Sequence, residues 1–133
     1  GVSYFETRQY IEAVADLNRE IKRSPSSVAY LYRARAKEAL KKKIEALQDY
    51  NLAVSTDTTN SEAYYYRASY FFQQNDYMLA LHDYQRAIAI APKMVPYLND
   101  IASTYRQLEE YDMAIEYYFY VFPAFSLVTI ACA

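Results

Sequence analysis

Residues 61–92, SEAYYYRASYFFQQNDYMLALHDYQRAIAIAP, decide the fold. They read as two helices joined by one short polar turn at Gln74, Asn75 and Asp76. In the first half Tyr64, Ala68 and Phe71 recur at spacings of four and three, and in the second Ala80, Tyr84 and Ala87 do the same. Such spacing gives each helix one apolar stripe, and alanine on both stripes lets the helices cross closely. Pro92 predicts the stop of the second helix, because proline has no N–H to donate and its ring clashes with the preceding turn.

Outward from this stretch the pattern returns at a fixed period. The interval from Ala34 to Ala46 equals those from Ala68 to Ala80 and from Ala102 to Ala114. Second alanines at 46, 80 and 114 are 34 apart, and Ala13 precedes Ala46 by 33, so four units stand in register. This pattern resembles the tetratricopeptide repeat, in which Trp, Leu-Gly, Tyr, Ala, Phe and Pro recur over about 34 residues as a helix-turn-helix unit. The resemblance covers residues 1–121 and implies an all-α fold: a right-handed solenoid of antiparallel helix pairs with about three and a half repeats. Its units fall at about 1–26, 27–60, 61–94 and 95–121, followed by an apolar tail at 122–133.

Departures from the pattern carry their own expectations. In the first unit Gly1 falls on the family's Gly position and Tyr4 on its Tyr position, so the front of the first helix is missing and the chain reads as a fragment. Thr7, Arg8 and Gln9 then read as a turn, with a second helix running through Ala13 and Leu17 to Pro25. Lys37 in a Tyr position and Thr58 in a Pro position predict the least regular packing in the second unit, and Arg67 replaces a Leu in the third. The fourth holds Leu98, Ile101, Ala102, Tyr105, Ala114 and Tyr118, with Pro96 suited to the first turn of a helix. Polar breaks at 24–27, 55–61 and 92–96 separate the units, and Lys41-Lys42 and Leu108-Glu109-Glu110 read as turns within them. A single Gly in 133 residues, with no sustained alternation, argues against strand hairpins.

Composition bounds the chemistry. With 53% hydrophobic residues the chain can build a core, which a solenoid shares between neighbouring repeats. A net charge of −2 from 14 basic and 16 acidic residues gives no drive toward nucleic acid or an anionic membrane, so neither is an expected partner. One cysteine, Cys132, leaves no disulfide framework and no multi-cysteine metal site, and points to a cytoplasmic, intracellular setting. His82, the only histidine, reads as a surface residue of a helix; alone it builds neither a triad nor a zinc site. Glu109 and Glu110, and the run Lys41, Lys42 and Lys43, read as solvated turns. No enzyme activity, metal or cofactor is expected.

Seventeen tyrosines need a place. Tyr4, Tyr30, Tyr50, Tyr64, Tyr84, Tyr105 and Tyr118 fall on repeat packing positions, and Tyr10, Tyr77 and Tyr111 on another at the start of the second helices; all are expected in the core. In the family that this chain resembles, the first helix of each unit lines a concave groove. Carried over position by position, the resemblance implies a peptide-binding groove of Val2 and Phe5; Leu31, Arg35 and Glu38; Glu62, Tyr65, Ser69, Phe72 and Gln73; and Asn99, Ser103 and Arg106. Tyr65, Ser69 and Phe72 share one helical face by their spacing. Aromatic anchors with a few charged groups suit an extended or helical peptide. The competing reading is that Phe5 and Phe72 only pack against the adjacent repeat.

Family members that hold acidic chaperone tails use a clamp of Lys, Asn, Lys and Arg. Here the matching positions hold Leu31, Arg35, Tyr66, Pro96 and Asp100, or in the other frame Glu62 and Tyr66 where cations are required, so chaperone C-terminal tails are not expected partners. The stretch 117–133, YYFYVFPAFSLVTIACA, carries no charge. Burial against the last repeat or a second copy, with residues 125–130 folding back as a cap, is the favoured reading, and a homodimer through the tail is one form of it. A dispensable or artefactual end and a membrane anchor are the others, the last weakened by Pro123 and the lack of flanking cations. The expected function is a scaffold or protein-protein interaction module that binds a peptide or partner protein in its groove. The alternatives are a self-associating structural subunit and a regulatory repeat domain of a larger enzyme.

Overall fold

The computed structural model describes residues 3–108 and Glu116; over these the protein is all-α, with six helices and no strand. They are α1 (Tyr4–Arg23), α2 (Ser27–Ala39), α3 (Lys43–Thr56), α4 (Ser61–Gln73), α5 (Tyr77–Ile90) and α6 (Val95–Gln107). The chain divides into two units between Arg67 and Ala68, within α4. Val2, Glu109, Glu110, Tyr111, Ala114, Tyr118 and the stretch 117–133 lie outside the described residues, and with them the expected cap.

In the first unit α1 packs on α2, and α2 on α3. Ser3 caps α1 by accepting from the Glu6 N–H, which satisfies one of the donors left over at a helix start. The expected turn at Thr7, Arg8 and Gln9 does not form: α1 runs through it without a break. The two tight turns elsewhere show why. Lys41 (φ 64°) and Asn75 (φ 65°) each adopt the left-handed conformation just past the end of a helix. There Lys42 N–H donates to Lys37 O and Lys41 N–H to Glu38 O, and Asp76 N–H donates to Phe71 O and Asn75 N–H to Phe72 O. These paired backbone bonds close both helices in the same way, at equivalent positions of successive repeats. At Thr7 the Ser3 carbonyl instead takes the Thr7 N–H in a helical bond, and the capped start propagates.

The breaks between helix pairs use side chains. Ser26 caps α2 through the Ala29 N–H, and Asn60, the equivalent position of the next repeat, meets the Ala63 N–H before α4. The buried Ser27 hydroxyl donates to Ala53 O and accepts from the Asn60 amide, tying the two ends together. Pro92 follows the end of α5 at the Ala91 cap, and Pro96 sits in the first turn of α6, where its missing N–H costs nothing.

Small residues form the core as the spacing predicts. Ala34, Ala46 and Ala53 in the first unit, and Ala68, Ala80, Ala87 and Ala102 in the second, are all fully buried. Tyr50, Tyr64, Tyr84 and Tyr105 join them, as do Tyr70 and Tyr97, which the repeat positions do not single out. Tyr10, Tyr30 and Tyr77 are half-buried. Tyr4 departs from expectation at 83% exposed, because it lies on the first turn of α1 and no described helix packs there.

Candidate peptide-binding faces

A buried carboxylate organises the first unit. Asp49 of α3 is almost inaccessible and receives a bidentate pair from Arg33 of α2, Nε at 2.8 Å and Nη2 at 2.7 Å, with Lys37 Nζ at 3.1 Å. The Asp49 bond holds the Arg33 guanidinium above its ordinary pKa against the opposing effect of burial. Arg33 also reaches Asn18 Oδ1 on α1 at 3.0 Å. Lys37 therefore stands in a Tyr position because it neutralises Asp49, an arrangement the repeat pattern alone does not anticipate.

Beside this triad, the Tyr50 hydroxyl donates to Glu38 Oε1 at 2.6 Å. Burial, then the Glu38 bond and charge, push Tyr50 above the ordinary tyrosine range. Arg35, exposed on α2, lays its guanidinium 4.1 Å from the Tyr66 ring centre, and Tyr66 meets Tyr65 edge to face at 5.3 Å. The result is a cation held over an aromatic ring, with a hydrogen-bonded carboxylate one turn away on α2.

The second unit has a counterpart. Tyr84 of α5, which occupies the position of Tyr50 one repeat later, is buried with its hydroxyl 3.1 Å from the Ser69 hydroxyl. Burial, aided by the charge of Asp100 and opposed by the Ser69 bond, pushes Tyr84 up to about 12. Phe72 stacks edge to face on Tyr77 at 5.2 Å, and the Gln85 amide donates to the Tyr105 hydroxyl at 2.9 Å.

Against these faces the expected groove residues sort as follows. In the first unit Arg35 lies over Tyr66, on which Tyr65 packs edge to face, and Glu38 accepts from Tyr50; Ser69 and Phe72 are half-buried in the second unit. Glu62, Gln73 and Arg106 are exposed, and Asn99 and Ser103 half-buried. Phe5 is 68% exposed on α1, away from the α2 and α4 cluster in sequence. Leu31 is 1% exposed: its side chain belongs to the core and has no surface to offer a ligand. Sequence reasoning missed Arg33 and Asp49. The signal was present, since Asp16, Asp49 and Asp83 recur at the repeat period, as do Arg33 and Arg67.

Among the described residues no group of three or more His, Cys, Asp or Glu could hold a metal, and no helix is long and apolar enough to cross a membrane. His82 is exposed, with Nδ1 3.8 Å from Asp83 Oδ1.

Comparison with known proteins places the fold. Residues 61–94 and 95–118 each match a family model described as tetratricopeptide repeat. Sperm-associated antigen 1 of Mus musculus is 30% identical over 102 residues, which is 77% of this chain; the chain spans 11% of that protein. A crystal structure of MamA shares the fold at a TM-score of 0.80 and 19% identity, over 90% of this chain and 71% of the other. The first TPR of Spaghetti (RPAP3), solved with the HSP90 peptide SRMEEVD, matches at a TM-score of 0.72 and 28% identity, over 80% of this chain and 85% of that one. Two repeats matched in sequence over residues 61–118, and helix pairs closed by the same turn at Lys41 and Asn75, show that this chain carries tetratricopeptide repeats.

Proposed function

We propose that the chain is a non-catalytic interaction module that holds a peptide, or a segment of a partner protein, against the exposed sides of its first helices. The observation that carries this reading is the Arg35 guanidinium held on the Tyr66 ring beside the Tyr50–Glu38 pair. A pre-oriented guanidinium and fixed rings lose little freedom on binding, so their contacts need not offset the cost of ordering the site. Tyr65 in the first unit and Phe72 in the second are the aromatic anchors; Glu62, Gln73, Asn99, Ser103 and Arg106 supply polar contacts. The cytoplasm is the proposed setting.

The repeat solved with the peptide SRMEEVD is a related module, but a different ligand is proposed for this chain. Leu31 is in the core, and Tyr66, Pro96 and Asp100 stand where a clamp for an acidic tail requires polar or cationic groups. Exposed Tyr4, Phe5 and Ile11 on α1 favour a second reading, a structural subunit that self-associates; a stable dimer in light scattering would support it. A regulatory role within a longer protein accords with the small share of the mouse relative that the chain spans.

The experiment is selection of peptides from a displayed random library on the folded chain, followed by titration. Tyr65→Ala with Phe72→Ala is expected to weaken the selected peptide at least tenfold while the circular dichroism spectrum is kept. Equal binding by wild type and a folded double variant would remove the support for these faces.

A further inference from the structure

Arg35 and Glu38 stand three apart on α2, a spacing that makes side chains neighbours on a helix surface and at which opposite charges ordinarily pair. Here they do not. Among the described residues Arg35 and Glu38 form no ion pair, and the one hydrogen bond to Glu38 comes from the Tyr50 hydroxyl to Oε1. Each charge is engaged elsewhere: the guanidinium lies over the Tyr66 ring of α4, and the carboxylate is tied to Tyr50 of α3. The two partners come from α3 and α4, so α1 has no part in fixing the pair. Both charges reach the Tyr50 hydroxyl, since Glu38 adds to the upward push of burial on its pKa and Arg35 opposes it, which places cation and anion on one side of the first unit.

Each group keeps hydrogen-bonding capacity. A planar guanidinium carries its N–H donors around its rim, and a ring beneath its face leaves that rim open. Glu38 Oε2 is a second acceptor. The first unit thus presents donors and an acceptor side by side, on opposite charges that stay close without pairing. An acidic group drawn to Arg35 meets Glu38, and a basic group drawn to Glu38 meets Arg35, so like-charge contact counts against both. A neutral group with a donor and an acceptor together meets neither penalty. A primary carboxamide is such a group: its carbonyl oxygen accepts and its NH2 donates.

We infer that Arg35 and Glu38 form a subsite for an asparagine or glutamine side chain of the bound peptide, with Arg35 donating to the carbonyl oxygen and Glu38 Oε2 accepting from the NH2. This rests on the proposed peptide-binding role and supplies what that role leaves open, a residue that the ligand must carry. Tyr50 is a positioning residue here: by holding Oε1 it keeps Glu38 from closing on Arg35.

The test titrates the full chain, by fluorescence anisotropy, with a labelled peptide selected from the displayed library and with versions in which its enriched Asn or Gln is replaced by the isosteric acid, by Lys or by Leu. Wild type is expected to bind each replacement about tenfold more weakly than the amide. Glu38→Gln, which still accepts from Tyr50, is expected to bring the acid version level with the amide. Arg35→Gln is expected to do the same for the Lys version, and because Arg35 is exposed this variant keeps the fold. Tyr50→Phe frees Glu38 to pair with Arg35 and is expected to remove the preference for the amide. Selected peptides with no enriched Asn or Gln, a Leu version that binds as well as the amide, or a ranking unmoved by Glu38→Gln and Arg35→Gln would overturn the subsite. The peptide-binding reading survives each of those results if the Tyr65→Ala and Phe72→Ala double variant still loses affinity. A library that yields no binder would overturn both.

Discussion

Asp49 is the residue on which the first unit depends most. Its carboxylate is buried at the α2–α3 interface with Arg33 and Lys37 both mostly shielded, so removing it strands two cations in a poor solvent for them. Asp49→Ala is expected to destabilise the fold by about 3–5 kcal/mol, measured by urea denaturation. Replacing all three by apolar residues of similar volume should recover most of that loss, because the ion pairs offset a desolvation cost that an apolar core never incurs. Tyr84 gives a pH signature. Its hydroxyl titrates at 10.0 when exposed and at about 12 in the fold, so its stabilising contribution is complete below pH 10 and lost as the pH rises toward 12. Tyr84→Phe should flatten the fall in stability across that window; an unchanged slope would mean that burial does not hold the hydroxyl neutral. The alanine positions were legible in the sequence because a close helix crossing tolerates little else. Arg33 and Asp49 were not, since a salt bridge between two different helices leaves no mark on local periodicity.

At the scale of helices and turns, the sequence shows where helices start and stop when the stop has a chemical cause. Ser26, Asn60, Pro92 and Pro96 all mark boundaries in the fold. The turn expected at Thr7 to Gln9 failed because polar composition alone does not end a helix; closure at Lys41 and Asn75 needs a residue with positive φ and two backbone bonds to the preceding turn. Lysine is a poor choice for that conformation, whereas asparagine tolerates it, here with its Oδ1 also accepting from the Tyr77 hydroxyl. Lys41→Gly is therefore expected to stabilise the chain by about 1 kcal/mol, while Asn75→Gly should be neutral or slightly destabilising. Thermal melts of the two variants check this, and a gain at Asn75 equal to that at Lys41 would contradict it.

For the molecule as a whole, the repeat period decided the fold class from a handful of alanines and tyrosines, because each helix pair solves the same packing problem in the same way. The binding faces were harder to read. Position in the repeat placed Leu31 in the groove, yet its burial is decided by its neighbours, and Arg35 gained its geometry from Tyr66, which belongs to the next repeat. The central claim, that a partner peptide lies on the first helices and not the second, is tested most directly by backbone amide chemical shifts of the labelled chain titrated with a selected peptide. The account predicts shifts at Arg35, Glu38 and Tyr65 in the first unit and at Ser69 and Phe72 in the second, with exposed Ile44, Gln48, Met78 and His82 of α3 and α5 unmoved. Shifts confined to those α3 and α5 residues, with Arg35 and Tyr65 silent, would contradict it.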